Sequence, residues 1–386
     1  MKIVYLTSPG FFDLDISFIR ELSRIADVRV LLYVAPMNMK ASAFSLNSQL
    51  EKEDIIPSTD YPGMEQYDNL IERSRWYIVN DTTNFSFSTC LKLNRRILRF
   101  VDDFNPDIFH IVETSRQKGL LFAMMKRGKR RMLLSLHDVI YHAGMSSIRA
   151  KINCTLRNIG ISKIHNILLY SKIFDQELEN QLKKIPHSVY YSMLGPYDFL
   201  THYPNEENKY GEYVLFFGRI DYYKGVDILI ESYQKSTLSE MGIKLILAGR
   251  DICNATLEVN NESIIVLNRY IENVELANLI RHSLFVVLPY RTATQSGVTK
   301  SAFAMNKPIL CTDAGNLPFE VLDGKYGHVV KAENVDAMTQ GLNWMIMNRD
   351  GLSVFADNIR EDWNNSGPYS WKVIASELVK NVYEKL

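Results

Sequence analysis

The 386-residue sequence has only four cysteines, Cys90, Cys154, Cys253 and Cys311. They form no C-x-x-C pair and sit beside no histidine cluster, so they support neither a disulfide framework nor a zinc site. A reducing cytoplasm is the simplest setting. No apolar run approaches the roughly 20 residues that span a bilayer. The apolar start at Ile3 is broken by Pro9, Asp13 and Asp15, too early for a secretory leader, so any membrane contact is expected to be peripheral. Net charge is also missing, because Lys+Arg and Asp+Glu tie at 44 each, which excludes a uniformly polybasic, histone-like chain. No G-x-G-x-x-G follows the first strand of either half, and no P-loop occurs, so dinucleotide enzymes and P-loop NTPases lose support. H-E-x-x-H and G-x-S-x-G are absent too.

What is present is length enough for two cores and a charge asymmetry that the total hides. Residues 1–200 carry 26 Lys+Arg against 21 Asp+Glu, and residues 201–386 carry 18 against 23. Part of the excess is one run, Lys126, Arg127, Lys129, Arg130 and Arg131. Such a run ordinarily reads as a solvated helix end and loop.

Short runs rich in Val, Ile, Leu and Tyr alternate with amphipathic stretches, the pattern of βαβ units and a parallel sheet. In the first half, strands are expected at 3–6, 28–34, 108–112, 132–136, 166–170 and 188–192. Helices are expected after Asp15, as its cap, and at 91–100, 119–125 and 174–182. Residues 36–88 read as loops and short helices. The polar stretch 201–211 reads as a linker. A second series follows: strands at 213–217, 244–248, 263–267, 284–288, 309–312 and 328–330, with helices at 226–233, 274–280, 297–305, 335–347 and 372–386. Two doubly wound α/β domains with a cleft between them are expected: 1–200, 201–367, and a terminal piece 368–386. In such sheets, ligands sit in the loops after the strands.

Asp13-Leu14-Asp15 has a D-x-D spacing, but it opens a helix, and capping is the plainer reading. Three loops of the second half carry more. Gly218-Arg219 and Lys224-Gly225 place a guanidinium and an ammonium between a strand end and a helix start, a sensible place for a diphosphate. Leu288 to Val298 runs from a strand through small polar residues to a helix start whose bare amides form a second anion site. Thr312 to Pro318 is a third strand-to-helix loop.

These segments occur in a telling order: F-F-G-R-I-D-Y-Y-K-G-V-D-I-L-I-E-S-Y (216–233), L-I-L-A-G (245–249), E-L-A-N-L-I-R-H-S-L-F-V-V-L-P (275–289), A-F-A-M-N-K-P-I-L (302–310), G-N-L-P (315–318) and D-G-K-Y-G (323–327). Over 213–345 this resembles the donor domain of family 4 glycosyltransferases, the retaining enzymes of the GT-B fold. Pro106 to His110 and Ser135 to Asp138 are similar to strand ends of that family's first domain. Ser370-Trp371 resembles the start of its last helix, which in the family crosses back to the first domain.

The resemblance implies a nucleotide diphosphate sugar donor, a glycan or lipid-linked acceptor in surface polysaccharide synthesis, and transfer with retention without metal or other cofactor. Arg219 and Lys224 would neutralise the diphosphate, with the amides of Ser296, Gly297 and Val298. His137 would face the sugar across the cleft, and Gly10 would let acceptor and donor approach. Tyr270, Ile271, Thr294, Gln295 and Ser301 complete the implied donor set. The +5 first half would then be the side that meets a lipid-linked substrate, with 126–131 as its peripheral membrane contact; nucleic acid is not expected as a partner. One departure stands out. The family's E-x7-E pattern falls on Ala293 and Ser301, so both carboxylates are missing. Thr294, Gln295 and Ser296 would read the sugar instead, with Ser301 or Lys300 toward the ribose. A non-catalytic sugar-nucleotide-binding subunit and a GT-B-like nucleotide-sugar epimerase stay open as alternatives.

Overall fold

The computed structural model describes residues 1–41, 43–84, 86–113, 120–121, 124, 131–137, 164–170, 188–257, 259–293 and 296–386. The chain divides into two compact units, Met1–Leu194 together with Trp371–Leu386, and Gly195–Ser370. Among the described residues no helix is long and apolar enough to cross a membrane.

The first unit holds an eight-stranded sheet: β1 (Lys2–Thr7), β2 (Asp27–Val34), β3 (Asp54–Pro57), β4 (Trp76–Asn80), β5 (Ile108–Val112), β6 (Arg131–Leu136), β7 (Asn166–Leu169) and β8 (Ser188–Tyr191). Its order is β3-β4-β2-β1-β5-β6-β7-β8, parallel except that β3 pairs antiparallel with β4. The central strands are apolar on both faces because helices cover both. Every residue of β5 is buried, and Leu93, Ile97 and Val101 of helix Phe87–Phe104 pack on Val4, Leu6 and Ile111. Each such side chain contributes about 2 kcal/mol by leaving water. Ser86 caps that helix through Thr89 N–H at 3.5 Å, and Asn105 closes it at φ 48°. The helix Trp371–Asn381 lies against helix Phe12–Leu22, with Phe18 and Trp371 ring centroids 6.1 Å apart.

Three expectations are corrected in these units. Residues 36–88 are not only loops: they supply β3 and β4, and Trp76 to Val79 pairs in register with Val30 to Tyr33. Asp15 is not the helix cap. The helix starts at Phe12, after the turn Pro9–Phe11. Asp15 therefore points inward, where its carboxylate accepts from Tyr5 Oη at 2.7 Å and from Thr7 Oγ1. A further helix, Arg349–Ile359, follows Val335–Met347 in the second unit. The helices expected at 119–125 and 174–182 fall largely or wholly outside the described residues.

The second unit is all parallel: β9 (Tyr213–Phe217), β10 (Lys244–Ala248), β11 (Ile264–Leu267), β12 (Val286–Leu288), β13 (Ile309–Thr312) and β14 (Gly327–Val330), ordered β11-β10-β9-β12-β13-β14. Within the unit this is the 3-2-1-4-5-6 order, and its direction of winding reverses between β9 and β12. The polar stretch after residue 200 belongs to this unit, because its backbone is tied there. Arg281 donates to the carbonyls of Tyr203 and Pro204 at 3.0 and 3.2 Å, and Tyr197 N–H donates to Lys300 O at 3.1 Å.

Candidate functional site

At the winding reversal, the chain leaves β9 through Gly218-Arg219 and leaves β12 through Pro289-Tyr290. Neighbouring connections part at such a point and open a crevice beyond the strands' carboxyl ends. Gly218 has φ 106°, and a Cβ there would sit 3.2 Å from Lys224 Nζ and 3.7 Å from Val298 Cγ2. Only glycine leaves room for the ammonium beside the first turn of helix Gly297–Ala304. Gly225 has φ 62°, and a Cβ there would lie 2.1 Å from Pro289 O. The two loops are therefore jammed backbone to backbone.

Lys224 is buried at 8 % exposure. Its Nζ donates to Tyr290 Oη at 3.0 Å and stands 4.9 Å from that ring's centroid. Burial first, and then the charge of Arg219, lower its pKa from 10.5 to about 8. Arg219 is the opposite kind of cation, exposed and 3.5 Å from Asp221. Ser296 precedes helix Gly297–Ala304 without a side-chain cap, so the first-turn amides keep their partial positive charge. Gly218 brings the Lys224 ammonium close to Val298 in that first turn, and Arg219 flanks the loop surface.

Other expected residues are placed differently. Ser301 is buried and donates to Gly297 O at 3.0 Å. Lys300 is buried, 3.7 Å from Glu320 and 4.5 Å from the Trp363 ring centroid, and burial pushes its pKa down. Both side chains are engaged inside the fold. Tyr270 is exposed and Ile271 is buried beside it. Thr294 and Gln295 lie outside the described residues.

In the first unit, His137 follows β6. Its ring is stacked between Phe11 and Tyr170, at centroid distances of 4.7 and 4.4 Å. Its backbone N–H donates to Glu113 Oε2 at 3.0 Å. These residues follow β1, β5, β6 and β7: two rings hold the imidazole and Glu113 holds the backbone that carries it. His137, Tyr5, Asp15, Phe18, Tyr170 and Trp371 line a common pocket. Gly10 faces open space: a Cβ there would meet no atom within 4 Å. Of the basic run, Arg131 is exposed at the amino end of β6, and Lys126, Arg127, Lys129 and Arg130 lie outside the described residues.

Residues 211–348 match the family model described as glycosyl transferases group 1. The second unit thus carries a segment similar to group 1 glycosyltransferases. The whole chain has the GT-B fold: it superposes over its full length on Anabaena Alr3699/HepE in complex with UDP-glucose, at TM-score 0.64 and 13 % identity, covering 100 % of both chains. It also superposes on sucrose-phosphate synthase from Thermosynechococcus elongatus at TM-score 0.63 and 14 % identity, covering 100 % and 98 %. An uncharacterized glycosyltransferase of Methanocaldococcus jannaschii is 27 % identical over 227 residues, 57 % of this chain and 59 % of that one. The match thus spans less than two thirds of that relative.

In the second unit the sequence reading overlooked Tyr290, which accepts a hydrogen bond from Lys224. A tyrosine after a strand-end proline gives little signal without knowing that β9 and β12 are neighbours. In the first unit Phe11, Glu113 and Tyr170 were overlooked for the same reason.

Proposed function

We propose that this protein transfers a sugar from a nucleotide diphosphate sugar to a glycan or lipid-linked acceptor, with retention of anomeric configuration, in surface polysaccharide synthesis. One observation carries the reading: a buried ammonium beside an uncapped helix start, at the winding reversal of the unit that is similar to group 1 glycosyltransferases. A diphosphate offers the paired charges that such a site is built to receive. In the proposed step the bond between the anomeric carbon and the diphosphate oxygen breaks and its electron pair leaves with the diphosphate. The acceptor hydroxyl forms the new bond on the same face and gives its proton to the departing oxygen. Lys224, Arg219 and the Gly297 and Val298 amides would neutralise the growing charge without a metal ion. His137, held by its two stacked rings, is the first unit's candidate for contact with the sugar.

One structural relative, Anabaena Alr3699/HepE, is described in complex with UDP and with UDP-glucose, which favours a uridine donor for the first trials. The test is a transfer and hydrolysis panel of UDP-, GDP- and ADP-sugars. Arg219→Ala and Lys224→Ala should each cost on the order of 2 to 4 kcal/mol in transition-state stabilisation, and unchanged rates in both would sink the diphosphate site. Donor binding without turnover on any acceptor would instead favour a binding subunit. In the same reading the run 126–131 touches an anionic inner membrane face. Co-sedimentation with anionic liposomes should then weaken as salt rises, and salt-independent or absent binding would end that part.

A further inference from the structure

The site's cation is a lysine taken out of water, and something must hold it where an anion can reach it. Lys224 lies among three rings: its Nζ is 4.9 Å from the Tyr290 centroid, 5.9 Å from Tyr223 and 6.0 Å from Phe216. Rings alone would attract the ammonium without directing it. Direction comes from Tyr290 Oη, the acceptor of the one hydrogen bond recorded for Nζ among the described residues. Burial raises the pKa of this phenol, and the side chain of Ser296, the residue before helix Gly297–Ala304, acts on it against that larger rise. Tyr290 is itself immobilised. It is 3 % exposed, its carbonyl accepts from Thr312 Oγ1 at 2.6 Å, and its ring meets Tyr223 edge-on at 6.2 Å.

We propose that Tyr290 is the positioning residue of the diphosphate site: its phenol oxygen, which accepts from Lys224, sets the ammonium in register with the first-turn amides that follow Ser296. This rests on the donor reading above. This bond joins the loop after β9 to the loop after β12, and Gly218 brings Lys224 Nζ close to Val298 in the first turn of the helix, so the two halves of the anion site are pre-assembled rather than brought together by ligand. The groups facing Lys224 are Arg219, Asp221 and Tyr223 in its own loop, and Tyr290 and Ser296 in the loop after β12. No carboxylate pairs with Nζ among the described residues, so the phenol oxygen is its polar support. With that support Lys224 already titrates near 8. Without it, the buried charge is held less well and its titration moves to lower pH.

The experiment measures UDP binding by calorimetry from pH 6 to 9.5, with GDP and ADP as parallel arms, for wild type, Tyr290→Phe and Ser296→Ala. Wild-type affinity should level off between about pH 7 and 8, once the terminal phosphate of UDP is fully ionised, and then fall by up to about tenfold per unit. In Tyr290→Phe the break should move down by about one unit, with affinity lowered several-fold at pH 7.5 and within about twofold of wild type at pH 6. Ser296→Ala leaves the phenol oxygen to Lys224, so its break should stay or rise. This variant also serves as the arm that survives if Tyr290→Phe does not fold. A break at the same pH in Tyr290→Phe, a uniform loss at all pH values, or a downward move in Ser296→Ala overturns the role of Tyr290. Failure of wild type to bind any of the three nucleotides overturns the donor reading and this inference with it.

Discussion

Replacing Lys224 with methionine should make the protein more stable while disabling the proposed donor site. The side chain is 8 % exposed and its pKa falls from 10.5 to about 8, chiefly through burial. A shift of that size corresponds to about 3 kcal/mol by which the fold disfavours the charged form. Methionine fills much the same volume without a charge to desolvate. The lost hydrogen bond to Tyr290 offsets about 1 kcal/mol of the gain, which leaves a net stabilisation of about 1 to 2 kcal/mol. For a unit of this size that is a Tm rise of about 3 to 6 °C. The dependence on pH follows from the depressed pKa. Below about pH 8 the lysine is charged in both folded and unfolded chains and the full cost is present. Between about 8 and 10.5 the unfolded chain binds more protons, so wild-type stability rises with pH toward that of the variant. Urea unfolding at pH 7 and pH 10 measures this, and UDP calorimetry on the same samples should show affinity lowered at least thirtyfold. A variant less stable than wild type by 1 kcal/mol at pH 7, or one that binds UDP within threefold of wild type, would refute the reasoning.

Gly218→Ala should lower stability by about 1 to 2 kcal/mol in urea, because φ is 106° and the new methyl meets Lys224 Nζ at 3.2 Å; UDP affinity should fall with it. His110 is fully buried, bonded to Tyr383 Oη at 2.6 Å and Ser135 Oγ at 2.5 Å. Burial lowers its pKa from 6.5 to about 3, so stability present above pH 6.5 should drain away as pH falls toward 3. His110→Gln should flatten that slope in acid titrations followed by circular dichroism. Arg291 donates to both carboxylate oxygens of Asp227, at 2.9 and 2.7 Å, and lies 4.1 Å from the Tyr222 ring centroid. Arg291→Lys loses the fork and should cost about 1 kcal/mol in urea unfolding; a loss under 0.3 kcal/mol would show that the pair is solvated away.

Much of the sheet architecture was legible because strands covered on both faces are spelled as uninterrupted apolar runs, such as Ile3 to Leu6 and Tyr213 to Phe217. The strand Trp76–Asn80 was not, because it lies inside a polar, aromatic stretch and its pairing with β2 is a long-range fact. Helix Arg349–Ile359 was hidden by Asp350 and Gly351 at its start, although Leu352, Phe355 and Ile359 share a face. Asp15 was misread because a first-turn carboxylate looks like a cap; only the backbone lead-in from Pro9 shows that it is inside the helix and turned toward Tyr5 and Thr7. The anion site was half legible. Gly218, Lys224 and the helix start at Gly297 are recognisable from local sequence. The residue that unites them, Tyr290, becomes visible only when the winding reversal brings β9 and β12 side by side.

The first unit is made from two stretches of chain with the whole second unit spelled between them. On the ribosome, His110 is therefore synthesised 273 residues before Tyr383, the hydroxyl that its ring requires. Phe18 likewise waits for Trp371. The first unit must stay incomplete, with a groove along Phe12–Leu22 uncovered, through the translation of its neighbour. The second unit is one continuous stretch, so every residue of it has been made before Trp371 is added.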